Sequence, residues 1–271
     1  MHPAHRAFRQ WLRGKKFTLV GQVWMRAGKT CELRHERDRN EPSDKLETFR
    51  HPSAARNLAT FTDDGRFRPL KSAPNLRRGW RIVGLTFEQL VQALDCFYPA
   101  ALAHWQEWRT GNLRRTTYRD SAARQTGMYR ITAKLGADDV RRVAACCCVD
   151  GQCLKVPLWS VDRKTSLQLG KRMEERKDAL PIPCPEPCSL FMSFARKAVR
   201  LEQEEPMKVE FTKSDLELIA TVLRSAADGT LSPYREGDYN DPRHRQRILY
   251  LLKKYDALMP RSRRHETQLE E

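Results

Sequence analysis

Two short cysteine-rich arms constrain this chain more than any other feature of its sequence. Six of the eight cysteines lie between Val140 and Arg200. The first arm carries Cys146, Cys147, Cys148 and Cys153, and the second carries Cys184 and Cys188. Thiols gathered in two arms that are distant in sequence are the usual means of holding one metal centre from two sides. The sequence therefore predicts a domain that closes on an inorganic centre.

The first arm offers more thiols than one centre needs. Neighbouring side chains on a helix point about 100° apart, so three consecutive cysteines cannot all bind one metal comfortably. Cys148 lies nearest the end of a helix predicted from Ala137, and the turn Asp150-Gly151 lets it converge with Cys153. Cys147 is the alternative first ligand, and Cys146 is expected to be a packing residue.

The second arm is stiff because two prolines lie between its cysteines, in the string CPEPC. Cys188 is predicted to open the following helix, where free N–H groups and the helix dipole favour a thiolate. The predicted metal ligands are therefore Cys148 or Cys147, together with Cys153, Cys184 and Cys188.

Spacing alone leaves the kind of metal open. Structural zinc sites prefer two residues between paired ligands, although up to four occur, and the two arms here have four and three. Apolar residues flank both arms, and such a shell shields an iron–sulfur cluster from water. We therefore favour a cluster; zinc is the alternative, and a redox dithiol or inert cysteines come third.

The chain has a strong excess of positive charge, with 50 Lys and Arg against 34 Asp and Glu, a net charge of +16. This balance suits a polyanionic partner. Nucleic acid is disfavoured because no helix-turn-helix, RNP or zinc-finger pattern is present and the basic residues do not form one stripe. The histidines are scattered; we expect His35, on a predicted strand, to be a satisfied structural residue.

The predicted fold class is α+β, with a small β-rich N-terminal subdomain, a helical pair, a cysteine-rich iron–sulfur domain and a C-terminal two-helix module. The segments 17–26 and 30–38 read as a hairpin around Ala27-Gly28-Lys29. Thr86 and Gln89 form a capping-box pattern, and the YRIT string after Gly127 reads as β-rich. The expected boundaries are residues 1–120, 121–205 and 206–258, followed by a disordered tail, 259–271.

No apolar run approaches the length of about 20 residues that spans a bilayer. The N-terminal segment has charge but no apolar core of signal-peptide length. We expect a cytoplasmic protein without membrane contact, in a reducing compartment that favours metal-binding over disulfide-bonded cysteines.

Several strings resemble a known pair of domains. RQTGMYRITAKL (124–135), CLKVPLW (153–159) and IPCPEPCSLF (182–191) resemble the iron–sulfur cluster-binding domain appended to CbiX-type sirohydrochlorin chelatases. The upstream strings DDGRFRPLKSAPNLRRGWRI (63–82) and LDCFYPAALAHW (94–105) resemble the stabilising domain that accompanies it. The resemblance covers about residues 15–200. It implies a 4Fe-4S cluster and a ligand role for Cys153, Cys184, Cys188 and either Cys148 or Cys147.

The resemblance also implies a role in tetrapyrrole metallation, in sirohaem or cobalamin synthesis. We recognise no chelatase unit in the sequence and assign no catalytic residue, so we expect an accessory protein whose partner is a separate CbiX-type chelatase polypeptide. Sirohydrochlorin is rich in carboxylates, and a face that binds it needs Arg or Lys with aromatic rings. Arg124, Gly127 and Arg130 are candidate binding residues. The segment Arg66–Arg81 is a second candidate, and its alternative is a loop of solvated arginines with Phe67 and Trp80 in the core.

Overall fold

The chain folds as an α+β protein. The computed structural model describes residues 1–61, 65, 67, 72–148, 152–167, 178–203, 212–227, 249 and 253. The chain divides into two compact units, residues 1–192 and residues 193–271. The helices and strands, in chain order, are α1 (Pro3–Leu12), β1 (Phe17–Val20), β2 (Val23–Arg26), β3 (Cys31–His35), β4 (Glu47–Phe49), α2 (Ala54–Thr60), β5 (Trp80–Leu85), α3 (Phe87–Phe97), α4 (Ala101–Arg109), α5 (Tyr118–Ala123), α6 (Ala137–Cys147), β6 (Lys155–Pro157), β7 (Ala179–Leu180), β8 (Ile182–Cys184), α7 (Ser189–Glu202) and α8 (Lys213–Ala227).

A six-stranded mixed sheet supports the first unit, in the order β4-β5-β3-β2-β1-β7. Neighbours from β5 to β1 run antiparallel, whereas β4 lies parallel to β5 and β7 lies parallel to β1. Side chains alternate between the two faces of a sheet. One face carries the buried residues Val20, Val23, Met25, Leu33 and Ile82. This inner face packs into the core, and the opposite, outer face carries a different set of side chains, described below.

The segment 17–26 forms two strands rather than the single arm of a hairpin. The break is a turn at Gly21 and Gln22, where Gly21 has φ +55° and a Cβ would lie 2.5 Å from Cζ of Tyr98. The backbone N–H of Gln22 donates to the Tyr98 hydroxyl at 2.9 Å. The turn therefore packs against the ring of Tyr98, the residue that follows α3, and local sequence does not reveal this contact. The predicted hairpin of β2 and β3 is confirmed.

Helices cover the inner face of the sheet. Trp80 in β5 is buried and stacks on Phe97 in α3, with ring centroids 5.2 Å apart. The predicted capping box begins α3: Thr86 Oγ1 accepts from the Gln89 N–H at 3.2 Å, and the Gln89 side chain accepts from the Thr86 N–H at 2.9 Å. Burial of apolar surface between sheet and helices is the main stabilising contribution here.

The YRIT string is not a strand, and the prediction of a β-rich segment there is wrong. Residues Gly127–Lys134 form a 3-10 helix. A strand needs a neighbour to pair with its backbone, and here the backbone bonds locally: the Leu135 N–H donates to the Thr132 carbonyl at 3.2 Å. That carbonyl also accepts from the hydroxyl of Tyr118 in α5. The side-chain bond anchors the helix to the preceding element.

The C-terminal unit contains α8, which confirms the first helix of the predicted module as far as Ala227. The second predicted helix, in the segment 242–257, lies outside the described residues apart from Leu249 and Lys253, which are helical. The predicted tail 259–271 also lies outside them, and the predicted domain boundaries stay a prediction. In the described part of the chain, no helix combines the length and apolarity that crossing a bilayer requires.

Candidate metal centre

A two-stranded parallel sheet brings the two cysteine arms together. Strand β6 begins two residues after Cys153, and β8 ends at Cys184. Their register places Pro157 opposite Cys184, and the Leu158 N–H donates to the Cys184 carbonyl at 2.9 Å. Pro183 lacks an N–H, but β8 has a single neighbour in this sheet, so the proline is tolerated at an edge. Pairing of the two strands therefore places two distant stretches of sequence side by side.

The end of α6 supplies the remaining thiols of the first arm. Val140, Val143 and Ala144 are buried and orient the helix. Cys147 is its last residue and Cys148 its C-cap, with the Cys148 N–H donating to the Ala144 carbonyl at 2.7 Å. The two sulfur atoms lie 3.7 Å apart. Both side chains can therefore reach the same space.

Five cysteines line one small cavity: Cys147, Cys148, Cys153, Cys184 and Cys188. The structure thus brings together every cysteine predicted as a ligand or alternative ligand. The cavity volume is about 10 Å³, which is room for roughly one water molecule. The other three cysteines lie elsewhere in the described structure, with Cys31 in β3, Cys96 in α3 and Cys146 inside α6.

Hydrogen bonds divide the cavity sulfurs into acceptors and donors. Cys153 accepts from the Lys155 N–H at 3.4 Å, and Cys188 accepts from the Phe191 N–H in the first turn of α7 at 3.5 Å. Such N–H donors favour a thiolate. The Cys147 thiol instead donates to the Val143 carbonyl at 3.1 Å, and the Cys184 thiol donates to the Glu186 carbonyl at 3.2 Å. These two thiols must lose their protons before they can bind a metal.

Burial disfavours the thiolate forms at this site. It raises the pKa of Cys153 to about 11. Burial, and then the nearby Cys188, raises the pKa of Cys184 further. The hydrogen bond between Cys148 and Cys147, followed by burial, holds the pKa of Cys148 well above its usual value. The same bond lowers the pKa of Cys147, but burial and neighbouring sulfurs outweigh it. A cationic centre among these thiols would reverse the balance and release their protons.

Within the described ranges, no group of three or more His, Cys, Asp or Glu side chains is arranged to hold a metal ion. The five thiols share a cavity without forming such a compact group. Thiols alone make up the possible ligand set among the cavity residues, and an all-thiolate set is the usual one for iron–sulfur clusters and for some zinc sites.

The rest of the lining is apolar apart from Lys155 and Ser72. Trp159 packs edge-on against Phe191 with ring centroids 4.7 Å apart, and Phe191 contacts Tyr118 at 5.8 Å. Sequence reasoning identified the apolar shell but missed Lys155 and Ser72. Lys155 could have been found, because it lies only two residues after Cys153. Ser72 is far away in sequence, and its carbonyl accepts from the Leu154 N–H at 2.6 Å, a contact without any local signal.

The predicted tetrapyrrole-binding residues lie outside this cavity. Arg124 caps α5 and forms an exposed ion pair with Glu186 at 3.2 Å. Glu186 lies between Cys184 and Cys188, so Arg124 contacts the second cysteine arm. Gly127 has φ +55° and begins the 3-10 helix, on which Arg130 is exposed. Their role in ligand binding stays a prediction.

The segment 66–81 places its aromatic residues differently from a ligand face. Trp80 is a core residue, so it cannot stack on a bound macrocycle, whereas Phe67 is exposed. Arg77 pairs with Glu47 at 2.8 Å, and Arg78 pairs with Asp38 at 3.0 Å. Arg66, Arg68 and Lys71 lie outside the described residues.

His35 is buried at the end of β3, and its Nδ1 accepts from the Arg37 N–H at 3.0 Å. It is the satisfied structural histidine expected from the sequence.

Two consecutive segments of the chain match known families. Residues 4–109 match the model of the DR2241 stabilising domain, and residues 110–197 match that of a 4Fe-4S iron-sulfur cluster binding domain. All five cavity cysteines fall within the second match. The resemblance to both domains is thereby confirmed. No curated protein matches the sequence.

A solved structure resembles the chain as well. It is the crystal structure of DR2241 from Deinococcus radiodurans, described as a multi-domain protein with structural similarity to chelatases and with two additional novel domains. The TM-score is 0.62 at 28% sequence identity, and the match covers 73% of this chain. The chain spans 42% of the length of DR2241.

Proposed function

We propose that this chain, which joins a stabilising domain to a 4Fe-4S cluster-binding domain, is an iron–sulfur accessory protein of tetrapyrrole metallation. It acts with a separately encoded sirohydrochlorin chelatase. The observation that carries the proposal is the convergence of five cysteines on one cavity, inside the segment that matches the cluster-binding family.

The residues of the cavity fit a cluster in their chemistry. Cys153, Cys184 and Cys188 supply three thiolates, and Cys148 or Cys147 supplies the fourth. The bound cluster would supply one-electron transfer or structural support. The cavity is small, so the cysteine side chains would have to change conformation to admit a cluster.

Each surrounding element has a defined part in holding the cluster. The pairing of β6 with β8 sets the positions of Cys153 and Cys184. The backbone N–H groups of Lys155 and Phe191 already point to sulfur and would stabilise the ligated thiolates. Trp159, Leu190 and Phe191 keep water from the sulfurs. Lys155 places a positive charge beside a centre whose thiolates carry negative charge.

Support for the metallation role comes from the neighbouring structure. DR2241 is described as similar to chelatases, and this chain matches less than half of its length. The likeness of this chain to part of that protein supports a role together with a chelatase. The high positive charge, +16, suits a substrate rich in carboxylates.

Metal analysis of anaerobically purified protein tests the cluster. We expect about four iron and four acid-labile sulfide per chain, with broad visible absorption that bleaches on addition of dithionite. Colourless protein that contains stoichiometric zinc and no sulfide would show that the site is a structural zinc site and not an iron–sulfur cluster.

A binding experiment tests the pathway separately. The cluster-loaded protein should retain a CbiX-type chelatase in an affinity pull-down and should bind a carboxylate-rich tetrapyrrole. If neither binds while the iron and sulfide contents are as expected, the cluster assignment stands and the metallation role is wrong.

A further inference from the structure

A second concave site lies on the outer face of the six-stranded sheet, and it shares no residue with the cysteine cavity. Its volume is about 840 Å³, and strands β1, β2 and β3 contribute to its lining. This volume lies in the upper part of the range of about 300–1,000 Å³ found for small-molecule sites. A single carboxylate or phosphate would fill little of it.

Strand register explains which side chains reach this cleft. Phe17 pairs with Arg26, Leu19 pairs with Trp24, and Trp24 pairs with Arg34. Directly paired residues project from the same face of a sheet. Because Val20, Val23 and Met25 fill the inner face, the alternate positions must project outward. The outer face therefore carries Phe17, Trp24, Arg26 and Arg34, together with Leu19 and Glu32.

Two aromatic rings form a platform in the cleft. Phe17 and Trp24 stack with centroids 5.3 Å apart and an interplanar angle of 22°. Phe17 is 45% exposed, so its ring is accessible to a ligand in the cleft. A diagonal cross-strand pair contributes to sheet stability, but it does not require positive charge around it. Here Lys16 lies 5.4 Å from the centre of the Phe17 ring, and Arg34 lies 6.0 Å from that of Trp24.

The cleft has a clear positive balance. Five cationic residues line it: Lys15, Lys16, Arg26, Arg34 and Arg39. Against them stand Asp178 in the lining and Glu32 beside it, an excess of three positive charges (five minus two).

The two arginines on the sheet are held in place. Arg34 is almost fully buried and donates to Glu32, to the Glu41 carbonyl and to Ser43 Oγ at 2.7–2.9 Å. Arg26 is half-exposed and forms an ion pair with Glu32. Lys16 and Arg39 are exposed at the cleft. The cleft thus has fixed charges at its base and long cationic side chains at its rim.

The geometry points to a binding site for a planar aromatic polycarboxylate. The macrocycle would lie against Phe17 and Trp24, and its carboxylates would reach the rim cations, since arginine and lysine are suited to carboxylates. This inference rests on the proposed function for its ligand class, the tetrapyrrole. It places that ligand on the β1–β3 face rather than at Arg124–Arg130 or Arg66–Arg81.

Equilibrium dialysis with uroporphyrin, a porphyrin octacarboxylate, tests the site in the cluster-loaded full chain. The double variant Lys16→Glu/Arg39→Glu should bind about tenfold more weakly, because two rim charges are reversed. Phe17→Ala should also weaken binding, by loss of the stacking surface. The matched control is Arg56→Glu/Lys134→Glu, which makes the same charge change at exposed positions outside the cleft and should leave binding within about twofold.

If the control double variant weakened porphyrin binding equally, the assignment of the site would be wrong, since net charge alone would then attract the porphyrin. Wild-type protein that does not bind uroporphyrin would also overturn it. The assignment would also be wrong if oligo(dT) bound the same face with a steep salt dependence and displaced the porphyrin. Iron and sulfide are measured in each variant. Porphyrin binding by a protein that holds no cluster would support the binding site and contradict the proposed function.

Discussion

Cys153, Cys184 and Cys188 owe their positions to short backbone segments, each of a different kind. Cys153 lies two residues before β6, Cys184 ends β8, and Cys188 precedes α7, where the Phe191 N–H donates to its sulfur. Removing one of these thiols leaves the others in place but breaks the ligand set. Individual substitutions should therefore separate ligands from packing residues.

We expect Cys184→Ser and Cys188→Ser each to lose most bound iron, because each removes one of the two thiolates that the second arm supplies. Cys31→Ser and Cys96→Ser should retain it, since these residues lie in β3 and α3. Cys146→Ser should be nearly silent. The measurement is iron per chain after anaerobic purification. Equal iron loss in all five variants would contradict the assignment of the cavity as the centre.

Lys155 should tune the reduction potential of the cluster. A nearby positive charge stabilises the more negative, reduced state, so Lys155→Gln should shift the potential to a more negative value. The shift is measured by a potentiometric titration followed by electron paramagnetic resonance. Lys134→Gln, at an exposed position outside the cavity, is the control and should leave the potential unchanged. An unchanged potential in Lys155→Gln, with full iron content, would show that the ammonium group does not face the cluster.

The thiols of this cavity could be predicted from residue patterns in the sequence. The CPEPC string and the turn before Cys153 indicated the thiols, and all five possible ligands line the cavity. Ser72 could not have been found, because its contact with Leu154 depends on how the chain returns across more than eighty residues. Long-range contacts of this kind have no local composition signal.

Among the elements, the 3-10 helix Gly127–Lys134 shows how tertiary contacts override a local pattern. Its YRIT string has strand-forming residues, yet the buried Tyr118 hydroxyl donates a hydrogen bond to the Thr132 carbonyl. The Leu135 N–H donates to the same oxygen, so both lone pairs are occupied and the carbonyl cannot also join a sheet ladder. The capping box of α3 was predictable by contrast, because both of its partners lie three residues apart.

Tyr118→Phe should lower the free energy of unfolding by about 1 kcal/mol at neutral pH, since it removes the buried hydrogen bond to Thr132. Burial raises the pKa of Tyr118 to about 12 from 10.0. The neutral phenol is favoured in the folded state, so this stability is present below pH 10 and falls as pH rises toward about 12. The difference between wild type and variant should therefore shrink across that window. Denaturant titrations at several pH values measure it, and a difference that grows with pH would contradict this account.

At the scale of the whole molecule, the α+β class and the order of the two family-matched segments could be predicted from the sequence. The strand order β4-β5-β3-β2-β1-β7 was not, because its edge strands β4 and β7 have only three and two residues. The basic cleft was not foreseen either. Its residues become neighbours only when the register of β1, β2 and β3 is known.

Removal of the metal centre should destabilise the segment that matches the cluster-binding family. Ligand binding free energy is part of folding free energy when thiols converge from distant strands. We expect the melting temperature to fall by about 5 °C or more after iron removal by an anaerobic chelator. Calorimetry of the loaded and stripped protein measures the change. Limited proteolysis should cut within residues 110–197 first, whereas an unaltered melting temperature would mean that the centre adds nothing to folding.

The link between β7 and α7 has prolines at every second position, Pro181, Pro183, Pro185 and Pro187. Its upstream end is attached to the large sheet, where Ala179 pairs with Leu19, and Cys184 and Cys188 lie along it. Proline restricts φ, so such a strip resists bending. A shift of the sheet edge by an occupant of the β1 cleft would therefore be carried mechanically to two sulfur atoms. If an occupant of the cleft changed the affinity for the cluster in this way, the bound cluster would change the affinity of the cleft by the same factor.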